Sequence, residues 1–455
     1  MARRGPGGPL PGRRGVTLAV LCGVFLLLLF LRVPVAYCIG TAALAAMLCT
    51  LPFDASAMTI AQRTATGVTS FTLLAIPLFV LAGKLIAAGG MASRLIDFAR
   101  VTVGFLPGGL AMTSVLANVL FGSVSGSAGA AASGIGGFMI PSMGRDGYPK
   151  AFSTAVTVSS ATTGLIIPPS NVLIVYAMVA SGVSIGGLFV AGYLPGLLLG
   201  LALMAAAMVI STRQGFGKRG PFPTLRELGR AFVRVIPALL LIVLVIGGIV
   251  VGLFTATEAS AVAVFYSLAL ALWVYGDLEA RDLPRILLET ASTTGMVFLL
   301  IGTSMAMAWI FAYADVPHVV DDFLRGLSAD PIVILLMINL LLLLVGTFMD
   351  MTPAVLIFTP IFLPIVQELA PALGTTPELM KYQFGIIMVI NLCIGLCTPP
   401  VGTVLFIGAG VAKLSIAEVG RALIPFFVVM VLVLLLVSFV PWITLWLPRD
   451  VFQIL

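Results

Sequence analysis

The chain has 455 residues, of which 60% are hydrophobic and only 9% charged, where a soluble domain carries about 25% charged residues. So few charges cannot coat a water-facing surface of this size; a soluble globular enzyme is excluded, and a mean hydropathy of +1.18 excludes a disordered or fibrous chain as well. No Asp, Glu, Lys or Arg occurs between Arg100 and Arg145 or between Lys150 and Arg213, and the second gap would cross a bilayer more than twice at about 20 residues per crossing. The fold class expected is an all-α polytopic membrane protein. Its net charge of +6 fits basic cytoplasmic loops rather than a nucleic-acid partner.

In chain order, residues 1–15, rich in Gly, Pro and Arg, read as a disordered leader. An apolar run at 16–31 follows. A basic segment before an apolar core resembles a signal peptide, but no cleavage site follows and a second run, 33–53, comes at once. Two spans separated by Arg32-Val33-Pro34 are therefore expected, then a third at 71–88 and an amphipathic stretch holding Arg94, Asp97 and Arg100. Residues 107–142 have a centre, Gly122-Ser-Val-Ser-Gly-Ser-Ala-Gly129, poor in helix formers. Its flanks are each too short for a crossing, which suits a re-entrant hairpin; bare backbone at membrane depth must be buried in protein or line a cavity. Residues 151–181 are interrupted at Ile167-Pro168-Pro169-Ser170-Asn171, where two prolines remove two donors and break the helix. A span at 184–210 closes this half.

Residues 211–234 carry Arg213, Lys218, Arg219, Arg226, Arg230 and Arg234 against one acid, Glu227, and read as a basic cytoplasmic linker. The second half repeats the order: spans at 235–254, 259–275 and 291–313, and a hairpin at 331–366 broken at Gly346-Thr-Phe-Met-Asp-Met-Thr-Pro353. A helix at 384–412 broken at Thr398-Pro399-Pro400-Val401-Gly402 and a last span at 423–447 complete it. Gly164-Leu165, Pro168-Pro169 and Ser184-Ile185 recur as Gly395-Leu396, Pro399-Pro400 and Ser415-Ile416 at one offset, 231; Pro107 and Gly122 recur as Pro331 and Gly346 at another, 224. Residues 16–210 and 235–455 thus read as two repeats. Each makes an odd number of crossings, so the two are inverted, which is the pattern of a secondary transporter with its site at the midplane. Parity and a cytoplasmic linker put both termini outside, while the N-terminal arginines favour the other orientation.

Such a carrier needs places to hold desolvated ions and anions. Unwound turns free carbonyls for a cation such as Na⁺, and half-helix N-termini present N–H groups to carboxylates. The oxygen donors at the four breaks are Ser125, Ser127, Ser170, Asn171, Thr352, Thr398 and Thr403. A lone Ser or Thr more often bonds back to its own helix; clustering at repeat-related breaks favours the functional reading for the group. Asp350, an intramembrane charge, has two readings: a Na⁺ ligand or a cap of the second half-helix. Glu258 in Thr255-Ala-Thr-Glu258 reads as a capping box, Lys84 as a snorkelling side chain, and His318 as a loop residue. The five cysteines read as small apolar residues rather than a disulfide framework.

Several of these motifs are also familiar in combination. Phe121-Gly-Ser-Val-Ser-Gly-Ser-Ala128, Gly164-Leu-Ile-Ile-Pro-Pro-Ser170, Gly252-Leu-Phe-Thr-Ala-Thr-Glu-Ala259, Phe348-Met-Asp-Met-Thr-Pro353 and Gly395-Leu-Cys-Thr-Pro-Pro-Val-Gly402 occur in order. With Ile76-Pro-Leu-Phe-Val-Leu-Ala-Gly83 and the Trp446-Leu-Pro448 ending, the chain resembles the large membrane subunit of TRAP (tripartite ATP-independent periplasmic) transporters. The resemblance implies an elevator-type, Na⁺-driven importer of organic acid anions in a bacterial inner membrane, with a separate small four-span subunit and a periplasmic binding protein as partners. It places Na⁺ candidates at Ser125, Gly126, Ser127, Gly346, Asp350, Thr352, Thr398, Pro399 and Gly402, and substrate candidates at Pro168, Pro169, Ser170, Asn171 and Thr403. Family members often carry an acid just past the first tip, where this chain has Gly129-Ala130-Ala131-Ala132; more weight falls on carbonyls and Asp350. No cofactor is implied. The alternative is a stand-alone ion-coupled carrier or antiporter without a binding protein.

Overall fold

The computed structural model describes residues 11–217, 220–399 and 401–454, all helix or connection, with no strand among them. Residues 1–10 of the expected leader, Lys218 and Arg219 of the linker, and Pro400 lie outside the described residues.

The first half comprises α1 (Pro11–Phe30), α2 (Val35–Leu48), α3 (Phe53–Gly67), α4 (Ala75–Ala88, preceded by one 3₁₀ turn), and α5 (Met91–Val103). Then come α6 (Gly109–Ser125), α7 (Ala128–Arg145), α8 (Lys150–Ala161), α9 (Asn171–Val179) and α10 (Ile185–Gln214). The second half comprises α11 (Leu225–Val250), α12 (Ala256–Ala269), α13 (Leu283–Tyr313), α14 (Val316–Leu327), α15 (Pro331–Phe348) and α16 (Met351–Leu369). It ends with α17 (Pro377–Leu396), α18 (Thr403–Ala412), α19 (Ile416–Phe439) and α20 (Pro441–Trp446).

Local chemistry sets many boundaries. Thr224, Thr255 and Ser415 open α11, α12 and α19 through reciprocal capping boxes with Glu227, Glu258 and Glu418, each satisfying orphan N–H groups at the helix start. Glu258 accepts the Thr255 N–H and hydroxyl, both at 2.8 Å, as its spacing predicts. A 3₁₀ turn at Thr162–Leu165 and the non-helical residues 166–170 around Pro168-Pro169 separate α8 from α9.

Four expectations change. Helix α1 already includes residues 11–15, so the leader is not disordered throughout. The run at 33–53 forms one helix, α2, that is shorter than expected and ends at Leu48, and a further helix, α3, starts at Phe53 behind Pro52, where none was expected. His318 is not in a loop but on α14, a strongly amphipathic helix. Nor is 211–234 one linker. Residues 211–214 finish α10, and Arg226, Arg230 and Arg234 lie on the first turns of α11.

Nine helices among the described residues are long and apolar enough to cross a membrane. Their burial is uneven. Within α17, Phe384, Ile386, Ile387 and Ile390 are fully enclosed, whereas α11 and α12 expose Leu240, Val243 and Phe265; exposed apolar faces of this kind suit lipid or a partner protein. A large apolar core joins both halves, and a small second cluster holds Leu85, Ala271, Leu278 and Ile286.

The same packing relation occurs on each side of that core. Helix α6 packs on α7 and α8, and α15 on α16 and α17; α7 lies against α18, and α16 against α9. A Cβ added to Gly122 would lie 2.4 Å from the Gly164 Cα, and one added to Gly395 would lie 2.5 Å from the Gly346 Cα. Both pairs therefore let a hairpin arm touch a broken helix backbone to backbone. Beside each contact sits a buried amide: Asn118 donates to Ser160 at 2.8 Å, and Asn391 to Asn339 at 2.8 Å.

Candidate functional site

A cavity of about 440 Å³ lies where the two hairpin tips and the two broken helices converge. The tips are tighter than the sequence suggests. Each is two residues long: Gly126-Ser127 between α6 and α7, and Met349-Asp350 between α15 and α16. Gly126 has φ of 60°, a left-handed conformation that favours glycine, and a Cβ there would sit 3.0 Å from the Pro169 carbonyl oxygen. The first tip is thus held against the first broken helix.

Seven sequence-derived candidates line this cavity: Ser125, Gly126, Ser127, Asn171, Asp350, Thr352 and Thr403. Ser125 Oγ and Asn171 Oδ1 are buried with no hydrogen-bond partner among the described residues, and a buried polar atom without a partner is costly. Ser127 Oγ accepts the Ala130 N–H at 3.2 Å and caps α7. Asp350 occupies the same position ahead of α16, yet its carboxylate makes no capping hydrogen bond and is exposed to the cavity. Its backbone partner is the N–H of Met351, the first residue of α16.

The other candidates lie apart from the cavity lining. Gly346 makes the backbone contact with Gly395. Pro168, Pro169 and Ser170 are wholly buried behind the first tip, and Ser170 Oγ donates to the Leu165 carbonyl at 2.6 Å. Thr398 Oγ1 donates back to Ile394 O at 2.7 Å, and Thr398 and Pro399 face a separate hollow beside Gly420. At Gly402 the chain turns back on itself, so that a Cβ would lie 2.8 Å from Thr398 O and 3.1 Å from Leu396 O. These carbonyls crowd a break whose Val401 N–H bonds Thr347 O at 3.2 Å.

Sequence reasoning missed the wall opposite the tips. Lys84 is more than a side chain at the end of a span. It lines the cavity and is, with Asp350, one of its two charged lining residues. Its Nζ donates to Thr293 Oγ1 of α13 at 3.2 Å and lies 3.8 Å from Glu289 Oε2. One residue earlier, Gly83 touches the tip: a Cβ there would fall 2.5 Å from Ser125 O. The available signal was Lys84 itself, a cation inside an otherwise apolar span. Cys38, Cys393 and Cys397 are buried, Cys22 is exposed on α1, and all five cysteines are free.

Known proteins bear on this geometry. Residues 22–443 match the family described as tripartite ATP-independent periplasmic transporter, DctM component. The chain is 49% identical to the uncharacterized protein YgiK of Salmonella typhimurium over 95% of this chain and 97% of that one. It is 40% identical to the C4-dicarboxylate TRAP transporter large permease protein DctM of Pseudomonas aeruginosa, over 83% of this chain and 86% of that one. Among solved structures it is similar to the YdaH transporter of Alcanivorax borkumensis, with a TM-score of 0.61 and 13% identity, covering 96% of this chain and 99% of that one. At that identity the likeness is one of fold.

Proposed function

This chain belongs to the DctM-component family of tripartite ATP-independent periplasmic transporters, and on that premise we propose that it is the large transmembrane subunit of a Na⁺-driven importer. Its cargo is an organic acid anion of the C4-dicarboxylate or sugar-acid type. A binding protein delivers the anion in the periplasm, and a separate small four-span subunit completes the assembly in the bacterial inner membrane. The relative from Pseudomonas aeruginosa named for C4-dicarboxylates supports the substrate class; the family's tripartite description supports the two partners.

The observation that carries this reading is the cavity that brings Ser125, Asn171, Asp350 and Lys84 together. At about 440 Å³ it falls within the usual range for small-ligand sites. Asp350 supplies a carboxylate with no side-chain cap bond to α16, suited to a hard cation that takes oxygen ligands. Ser125 Oγ and Asn171 Oδ1 supply two unpartnered oxygens nearby. Lys84 supplies the opposite charge on the facing wall, where a charge-assisted bond to a substrate carboxylate is worth about twice a neutral one. Na⁺ and anion then offset each other's charge inside the protein, and neither binds as well alone.

Two inverted repeats give the cavity its motion. The hairpins and broken helices form one packed body, whereas Lys84 and Thr293 belong to α4 and α13, which pack against it and each other. Sliding that body along α4 and α13 carries the bound pair across the membrane, the elevator mechanism. The close approach of Gly83 to Ser125 O permits that sliding contact without an intervening side chain.

The test is uptake in proteoliposomes containing the chain, its small subunit and its binding protein, with candidate organic acids outside. Accumulation should follow an inward Na⁺ gradient and vanish with K⁺ on both sides. Equal accumulation in K⁺ would overturn the coupling ion, and full-rate transport by the large subunit alone would favour a stand-alone carrier.

A further inference from the structure

We propose that an arginine-lined pocket outside the transport cavity binds the headgroup of an anionic glycerophospholipid. The pocket, about 730 Å³, lies between α5, the start of α11 and the end of the α12 span. Arg94, Arg100, Arg230 and Arg234 face it against two acids, Asp97 and Glu227. Glu227 is already engaged: it accepts the Thr224 N–H at 2.8 Å and the Thr224 hydroxyl at 2.9 Å in the cap of α11. Arg94 is engaged too, bonded to Asp277 at 2.6 Å and stacked 3.9 Å over the Tyr275 ring. Arg100, Arg230 and Arg234 make no ion pair within bonding distance among the described residues, and neither does Asp97. Three unpaired guanidiniums against one free carboxylate leave a surplus of positive charge in one concavity that calls for an anion, and their planar forks match phosphate oxygens.

The pocket's position selects a lipid over a soluble anion. It lies at the polar ends of two membrane-length helices, where α11 enters its apolar span and α12 leaves its own. Its flank is apolar and exposed: Val233 and Val274 line it, and Phe232 and Trp273 stand beside them. A polar pocket opening onto a lipid-facing apolar flank with an interfacial Trp has the two-part chemistry of a phospholipid. The corresponding hollow beside the second amphipathic helix, α14, is lined instead by Asp315, Asp321, Glu368 and His318. Cationic lining is therefore particular to the α5 side.

The purified full chain in neutral detergent would be titrated with short-chain phosphatidylglycerol, short-chain phosphatidylcholine and inorganic phosphate, reading the thermal unfolding midpoint. Phosphatidylglycerol should raise the midpoint at lower concentration than phosphatidylcholine, and phosphate should not substitute for it. Combining Arg100→Gln with Arg234→Gln should weaken the phosphatidylglycerol response about 30-fold, the loss expected for two interfacial arginines. The phosphatidylcholine response, which reports a folded protein, should stay unchanged, and Arg234→Lys alone should keep most of the preference. Equal responses to the two lipids, an equal response to phosphate, or an unaltered double variant would each overturn the proposal. None of these readouts depends on Na⁺ or an organic acid, so the outcome is separate from that of the transport reading.

Discussion

At the tip of the first hairpin, Ser127 opens α7 and uses its hydroxyl to accept the Ala130 N–H; at the tip of the second, Asp350 opens α16 and makes no such bond. Both breaks are two residues long, and both are preceded by an arm that touches its broken helix through a glycine pair. The backbone solutions are alike and the chemistry is not. A neutral hydroxyl engaged in its own helix adds rigidity, whereas a carboxylate facing a cavity without a side-chain cap bond is held at a cost that a bound cation would offset. Ion affinity should therefore be unequal between the tips, with the charge-dependent part at Asp350.

The largest expected effect breaks the first tip alone. Gly126→Val puts a β-branched side chain at φ of 60° and against the Pro169 carbonyl; Na⁺-driven uptake should fall to background while membrane expression holds. Met349, at φ of −120°, needs no glycine, so Met349→Val should keep at least about half of wild-type uptake, since only a packing change of order 1 kcal/mol is involved. Equal damage at both positions would show that the tips are equivalent.

Next in size is the charge. Asp350→Asn preserves shape and capping ability but removes the carboxylate, and should raise the Na⁺ half-saturation concentration tenfold or more, about 1.4 kcal/mol. Ser127→Ala should instead cost about 1 kcal/mol of helix stability and move Na⁺ half-saturation less than about threefold. An unchanged Na⁺ dependence in Asp350→Asn would leave the cation to carbonyls and hydroxyls.

A smaller effect separates anion from cation. Lys84→Gln keeps a donor for Thr293 but loses the charge; substrate half-saturation should rise about fivefold, near 1 kcal/mol, with the Na⁺ dependence little changed. The smallest effect is expected at Thr398→Val, whose hydroxyl is already bonded to Ile394 O. Uptake should change less than about twofold, because only a helix-internal hydrogen bond is removed.

Much of this architecture was legible because the bilayer imposes strong local rules. Adjacent prolines, glycine-rich centres and charge-free runs each have one workable interpretation at membrane depth, so the breaks at 126–127, 166–170, 349–350 and 397–402 fall where the residues place them. The amphipathic helices were less legible. Helix α14 carries Pro317 and His318 near its start, which read as turn chemistry, and its helix is supported by packing against α16 and α13. Helix α3 is similarly polar and is held by its packing on α13.

By itself the sequence determined the membrane class, the order of spans and breaks, the paired glycines and prolines, and the set of polar residues at the breaks. These follow from composition and backbone chemistry, which act over a few neighbouring residues. Tertiary structure alone decided which of those polar groups share one cavity. Ser125, Asn171, Asp350 and Thr403 come from four separate breaks, while Thr398 and Pro399 face elsewhere. It also decided that Lys84, distant in sequence from every break, faces the same space through its bond to Thr293. A snorkelling lysine and a cavity lysine have the same local sequence; what separates them is the helix packed in front, and that contact lies more than two hundred residues along the chain.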